Sequence, residues 1–417
     1  MTTARRTFHS LRYRNYRLFF AGQAISQTGS WMQRIALGVF ILELTHSAFD
    51  VGLMAFAQFM PYMLLGLFAG VVTDRLDARR LVIGTQVAQL VSAAALAWIA
   101  VGGFAQPWML YTIAFINGTV LVLDVPSRQQ LTYRMVGRED LPNAIALNST
   151  LFNASRIFGP SVAGAILGLA GVGACFLVNA VSFVAVLAGL LMMRQREFFP
   201  VERFERPPIL RGTREGLAYV RTQPRMLIVL TLTLLLSTFT FNFNVTLPVL
   251  AVVTLHGGGY VYGLLSAVFG VGALAGALFA ASRSRASLRV LLFGAAVFTA
   301  ATTLLGGATD VWIAGALLFL VGACFTAWSA NSNAITQLAA PDHLRGRIIG
   351  LYFYAFNGTG AFAGLFAGWL CDRGGTELGF LVAGIVGIVS TLAAAVSFGW
   401  RPRTAPRRRT TEQPQHA

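Results

Sequence analysis

Apolar runs of roughly 18 to 25 residues, the length a helix needs to cross a bilayer, recur along this chain. They fall near 17–43, 50–73, 81–103, 108–128, 143–169, 173–193, 226–254, 260–282, 288–308, 311–335, 346–371 and 378–400. The expected fold class is an all-α membrane protein with twelve transmembrane helices. Composition agrees: of 417 residues 56% are hydrophobic, 12% are charged and 43 are glycine, which excludes an ordinary soluble globular domain. A formal net charge of +16 would suggest nucleic acid as the partner of a soluble protein. Here the 32 basic residues, all arginine, fall almost wholly in short gaps between apolar runs. They read as topology signals, and no nucleic-acid partner is expected.

Arginine also orients the chain. The tails and the even-numbered gaps carry nearly all of it, whereas the odd-numbered gaps hold only Arg373. By the positive-inside rule both termini are cytoplasmic in a multi-pass protein of the plasma (inner) membrane. Arg34 and Arg156 are then left inside the membrane. Arg5 and Arg6 faintly resemble a twin-arginine signal, but Arg12, Arg14 and Arg17 interrupt it and no small-residue cleavage site follows. Cys175, Cys324 and Cys371 lie far apart with neither metal-ligand spacing nor a disulfide framework. No Walker-type phosphate loop, no histidine within a span and no catalytic Ser, His and Asp or His-Glu-x-x-His cluster is present. Neither an enzyme nor a cofactor or metal is expected.

The chain divides into a tail (1–16), a six-helix bundle (17–193), a linker (194–225), a second bundle (226–400) and a basic tail (401–417). The linker holds eight arginines and the Pro207-Pro208 pair; the stretch around Arg211 to Val220 is either a short helix whose apolar side lies on the inner leaflet or a solvated charged loop. Repetition supports the division. Gly66 and Gly70 correspond to Gly272 and Gly276, an offset of 206, and Gly164 and Gly168 correspond to Gly364 and Gly368. Glycines four apart let helices approach closely. Two pseudo-symmetric bundles meeting through such faces, with a site near the midplane, is the layout of a rocking transporter.

Polar residues recur at helical spacing inside the spans. Gln23, Gln27, Ser30 and Arg34 share one face of the first span; Asn117, Asp124 and Arg128 share one of the fourth. A polar stripe in hydrocarbon must face protein or water. The fifth span adds Asn148, Phe152 and Arg156, the seventh Phe241, Asn242 and Asn244 ahead of Pro248, and the tenth Trp328 and Asn331. Asp124 and Arg128, one turn apart, are either a structural ion pair or a coupling site. Arg34 is either a strut between helices or a cargo contact, and the phenylalanines are either packing or a hydrophobic binding wall.

Several stretches together resemble the major facilitator superfamily, and within it the bacterial branch of enterobactin-exporter-like and macrolide-efflux-like carriers. They are Arg14-Asn15-Tyr16-Arg17 entering the first span, Leu44-Thr45-His46-Ser47, Gly70 followed by Asp74-Arg75 and Arg79-Arg80, Asp124-Val125-Pro126-Ser127-Arg128, Arg156 to Pro160, and Pro341 to Arg347. The resemblance covers about Leu11 to Trp400. It implies that spans one, four, seven and ten line a central cavity, which is where the polar groups fall. It also implies a conformational latch formed by Gly70, Asp74, Arg75, Arg79 and Arg80, in which Asp74 faces the positive N-terminal end of the helix beginning near Arg345 and closes the inner gate. Two departures stand out: Asp77 replaces the usual loop glycine, and Ala280 stands where Asp74 would repeat. Gly159, Pro160 and Gly164 resemble the antiporter signature of the fifth span without its usual double glycine.

The expected function is therefore a secondary active exporter of a small amphipathic molecule, drug-like or siderophore-like, working by alternating access as a proton antiporter. The expected cavity residues are Gln23, Gln27, Ser30, Arg34, Asn117, Arg156, Phe241, Asn242, Trp328 and Asn331, with Asp124 and Arg128 as coupling residues. Expected partners are the small-molecule substrate, protons and membrane lipid, with the chain acting as a monomer. An importer or uniporter of the same fold, and a non-transporting membrane receptor or assembly factor, are the alternatives.

Overall fold

The computed structural model describes residues 8–200, 209–283, 286–341 and 344–399; within these, the side chains of residues 67–72, 74, 75, 209–213, 345 and 346 lie outside the description. Every regular element among the described residues is helical. The long ones are α1 (Arg14–Thr45), α2 (Ala48–Arg75), α3 (Ala78–Gly102), α4 (Pro107–Leu191), α5 (Ile209–Thr222), α6 (Pro224–Leu235), α7 (Phe243–Val249), α8 (Gly258–Ala281), α9 (Leu288–Leu305), α10 (Val311–Ala339), α11 (Arg345–Asn357) and α12 (Gly360–Gly399).

Eight helical stretches among the described residues are long and apolar enough to cross a membrane. Fewer than the expected twelve stand apart because α4 and α12 each hide reversals. In α4, Gly137 (φ 74°) and Gly171 (φ 76°) leave helical geometry in the left-handed region that glycine alone adopts without strain. The reversal is measurable: Asn148 Nδ2 lies 3.5 Å from Thr132 Oγ1, where a straight helix would separate them by ~24 Å. Cys175 Sγ likewise lies 4.0 Å from the Ala163 carbonyl. In α12 the break is Gly374–Gly375. The three limbs of α4 and two of α12 are thus antiparallel neighbours. Additionally, α1 carries Gln23, Gln27, Ser30, Gln33 and Arg34 and is too polar to stand out by apolarity.

Backbone approaches at glycine hold the bundles together. Within the first, a Cβ on Gly118 would sit 2.0 Å from the Gln58 carbonyl, and one on Gly22 would sit 2.7 Å from the Val186 Cα. Within the second, Gly272 and Gly276 of α8 meet the Phe319 and Ala323 carbonyls of α10. Between the bundles there are two related seams: Gly52 of α2 against the Gly364 carbonyl, with Gly368 against that of Ala48, and Gly164 of α4 against Gly263 of α8. Gly168, the partner of Gly164 in the repeat, meets nothing. Apolar side chains turn outward around this scaffold, as lipid contact requires: Leu169 is 89% and Trp312 81% exposed.

The helix following α6 loosens. Phe241 and Asn242 have non-helical dihedrals between two π-helical turns, Leu236–Thr240 and Leu250–Thr254. Asn242 Nδ2 donates to the freed carbonyl of Thr238 at 2.7 Å, so the side chain repairs the gap its own backbone opens. The linker stretch is a helix, α5, whose Val220 side packs on the protein. Val220 is buried with Met226, Leu344, Ile348 and Tyr352, and Glu215 pairs with Arg347 of α11.

Candidate functional site: a central cavity

A cavity of about 900 Å³ runs between the bundles. On α1 it follows Phe19, Gln23, Gln27, Ser30, Arg34 and Gly38, which spans ~28 Å of helix. Asn117, Asp124 and Arg128 of α4 face it, as do Asn148 and Phe152 from the second limb. Asn244 and Tyr262 are the contributions of the second bundle.

One end is shut. At the Thr45 end of α1 the two glycine seams close the bundles together, and Asp372 of α12 caps the start of α2 from across the interface. Its carboxylate accepts from Ala48 N at 2.6 Å, Phe49 N at 3.1 Å and Ser47 Oγ at 3.0 Å, where helix amides and dipole favour an anion. Residues of the opposite end, among them Gln129, Leu141, Ile145 and Asn148, line the cavity instead. The cavity opens there.

That open end is fastened within the first bundle by charged contacts. Asp77 caps α3 by accepting from Arg80 N at 3.0 Å and pairs with Arg134 at 2.7 Å, which explains an aspartate where the resemblance leads one to expect glycine. Burial pushes the Asp77 carboxyl up, but the Arg134 and backbone donors outweigh it and leave it below its ordinary range. Arg79 donates to the Leu190 and Leu191 carbonyls at the end of α4. Gly70, Asp74 and Arg75 have side chains outside the described residues, so the latch is described only at Arg79 and at Arg80, whose side chain is exposed.

Asp124 is 2% exposed and fully engaged. One oxygen accepts from Thr85 Oγ1 at 2.6 Å and Gln86 Nε2 at 3.0 Å. The other lies 2.6 Å from Arg128 Nε, although that N–H is not aligned on any acceptor, so the contact is one of charge more than of a directed bond. Arg128 also donates to Gln23 Oε1. The group therefore ties α3, α4 and α1 together at the cavity wall.

Arg34 lies over the ring of Trp31, 4.4 Å from its centroid, and Arg156 over Phe269 at 4.8 Å. Gly159 lets the α4 backbone reach α1, since a Cβ there would meet that of Trp31 at 2.4 Å; Pro160 turns its carbonyl to Gly263. Arg156, Phe241, Asn242, Trp328 and Asn331 are not among the residues of the cavity wall. Phe241 stacks on Phe325 at 4.0 Å, and Trp328 is wholly buried against Phe298 and Phe356. Asn331 accepts from Ser287 N at 3.0 Å and so holds the start of α9. These aromatic residues make a packed interior: Phe241 sits at the non-helical break next to a π-helical turn, and Trp328 faces inward from the regular helix α10. Trp31 and Tyr262 are wall residues that polar periodicity did not mark; the spacing of Trp31 three residues before Arg34 was the available signal. Among the described residues no group of three His, Cys, Asp or Glu side chains comes together to hold a metal.

Residues 5–409 match the family model described as transmembrane secretion effector. The chain belongs to the major facilitator superfamily. Within this superfamily it is 23% identical over 396 residues to the uncharacterized MFS-type transporter YfiS of Bacillus subtilis, covering 90% of this chain and 92% of that one. It is 24% identical over 294 residues to macrolide efflux protein A of Streptococcus pyogenes, covering 69% and 72%. The fold matches the crystal structure of the nucleoside transporter NupG with a TM-score of 0.72 at 13% identity, over 94% of this chain and 100% of that one. The chain is thus a multi-pass membrane protein of the efflux-like branch, with the all-helical fold expected of it.

Proposed function

We propose that this protein is a secondary active exporter of the inner membrane that moves a small amphipathic molecule outward by alternating access, in exchange for protons. The observation that carries the reading is the cavity: about 900 Å³, walled by both polar and aromatic side chains, between two bundles and open at one end only. Its likeness to macrolide efflux protein A supports export. The arginine-rich end, with both termini, lies on the cytoplasmic side, so the open conformation is the one that loads cargo from within. Residues 17–193 and 226–400 act as the rocking bundles and 194–225 as their connector; a monomer suffices.

In this reading Asp124 carries the proton. Its contacts with Arg128, Thr85 and Gln86 tie it to α3 and α4 and, through Gln23, to α1, so they form and part as those helices shift between states. Asp74, with Gly70, Arg75, Arg79 and Arg80, closes the inner gate in the opposite state, and Gly159, Pro160 and Gly164 allow α4 to pivot on α1 and α8. Purified protein in vesicles with an imposed pH gradient, offered a panel of lipophilic drugs and siderophores, tests the reading. Outward flux that collapses with the gradient is expected. Inward or gradient-independent flux points to an importer or uniporter, and a folded protein that moves none of the panel points to a receptor.

A further inference from the structure

Arg34 and Arg156 stand deeper than Asp124, toward the sealed end, and have no role in the proton exchange proposed above. Arg34 lines the cavity and is exposed to it; Arg156, on the second limb of α4, is half-buried one turn beyond the wall residues Phe152 and Asn153. They are linked through packed neighbours: Trp31, under Arg34, meets Phe152 edge-on at 5.7 Å, one turn before Arg156, whose carbonyl packs against Gly270 of α8. Among the described residues neither has a carboxylate or hydrogen-bond acceptor, and each rests on a ring face instead. Among the described residues of the cavity wall the one carboxylate, Asp124, is already held by Arg128, Thr85 and Gln86. Nearby asparagines are turned elsewhere: Asn153 donates to the Ser149 carbonyl and Asn148 binds Tyr16 and Thr132.

Two unpaired cations inside a membrane protein are expensive unless water or a counter-charge offsets them. The ring contacts offset part of that cost, but they leave the guanidinium N–H donors without acceptors among the described residues. We propose that Arg34 and Arg156 form an anion subsite, so that the exported molecule is an amphipathic organic anion: a carboxylate, sulfonate or phosphate joined to an aromatic or apolar body. The acidic group receives charge-assisted, bidentate bonds from the guanidiniums, and the body lies against Trp31, Phe152 and Tyr262. Tyr262 and Phe269 belong to α8 and Trp31 to α1, so a ligand here touches both bundles and its binding differs between the two states, as a transported species requires.

This rests on the export reading only in taking whatever enters the cavity to be cargo. Calorimetric binding to the purified full chain, using naphthalenesulfonate, naphthylmethanol and the naphthylmethyltrimethylammonium ion, compares matched rings that differ in charge. The sulfonate is expected to bind wild type at least about tenfold more tightly than either other probe. In Arg34→Gln and Arg156→Gln that advantage should fall toward unity while naphthylmethanol affinity holds, and Arg34→Lys should keep most of it. Equal affinities across charge in wild type, or an undiminished preference in both glutamine variants, overturns the subsite. If those variants do not fold, the wild-type ranking decides alone. An anion preference in a protein that shows no gradient-driven flux removes the export reading and leaves the subsite; flux without that preference does the reverse.

Discussion

The environment of Asp124 separates its two possible roles. A carboxylate held by two neutral donors and one cation is a strong structural staple between helices, and those same contacts must change when the helices move. Asp124→Asn keeps size and most hydrogen bonds but cannot ionise. If Asp124 couples transport, gradient-driven flux should fall by about tenfold or more while cargo binding is preserved; flux that survives under the same gradient assigns the residue to structure. Asp140, at the open end, answers a different question. His9 Nδ1 at 2.9 Å, Arg12 at 2.6 Å and the Tyr13 hydroxyl at 2.8 Å converge on it and fasten the segment before α1 to the turn at Gly137. Burial pushes this carboxyl up, but the Tyr13 and His9 bonds and the Arg12 charge outweigh it, leaving it below its ordinary value of 3.8. A depressed carboxylate stabilises the folded state fully above the unfolded value and loses that contribution as pH falls through the lower folded one. The N-terminal segment should therefore stay docked at neutral pH and down to about pH 4, and release below that. Hydrogen exchange of residues 9–13 against pH measures it, and Asp140→Asn should abolish the pH step.

At the scale of elements, the seams between bundles depend on the absence of a side chain. A Cβ on Gly52 would lie 2.5 Å from the Gly364 carbonyl, and one on Gly263 would lie 2.6 Å from both the Gly164 Cα and the Pro160 carbonyl. In each case the obstacle is backbone, which cannot swing aside. Gly263→Val should separate α8 from α4 at the sealed end and destabilise this conformation by about 1–3 kcal/mol, the usual penalty of overpacking. A lowered melting temperature in detergent, or increased reactivity of a cysteine placed at the seam, reports it; unchanged values for both mean that the helices do not rely on this contact. Much of this architecture was legible in the chain. Apolar run lengths, the arginine pattern and the glycine repeats point to a helical membrane fold in two related halves, and the α1 and α4 stripes mark the residues now seen on the cavity wall. The second bundle was harder to read. Phe241 sits at a non-helical break beside a π-helical turn, which changes the helical period of its span, whereas Trp328 and Asn331 sit on the regular helix α10, where spacing alone does not say whether a face packs inside the bundle or on the interface. Tyr262, one of two tyrosines at the start of a largely apolar α8, carried no periodic signal at all.

For the whole molecule, the two ends hold carboxylates that bear on the same equilibrium with opposite sign. Asp372 bridges the bundles at the end that is shut here, accepting from the first amides of α2. Asp74 closes the other end in the state where the cavity faces outward, by the proposal above. Both contacts use a carboxylate at a helix start, and each can exist only while its own end is closed, so each shifts the balance of states by no more than its own free energy. Asp372 is exposed, and water and salt reduce what its contacts contribute. A shift of several-fold in the population ratio is the scale to expect, short of the full reversal that would need about 5.5 kcal/mol. Asp372→Asn should loosen the shut end and make a cysteine at position 49 more reactive, while Asp74→Asn should populate the conformation described here and raise the reactivity of a cysteine at position 145 on the open wall. The native thiols give a low background, since Cys175 and Cys371 are buried and Cys324 is half-buried. The double variant should lie between the two singles if both carboxylates act on one two-state rocking motion. Changes at positions 49 and 145 that move in the same direction in either single variant would mean that the ends open independently, and a rigid-bundle exchange would not describe this transporter.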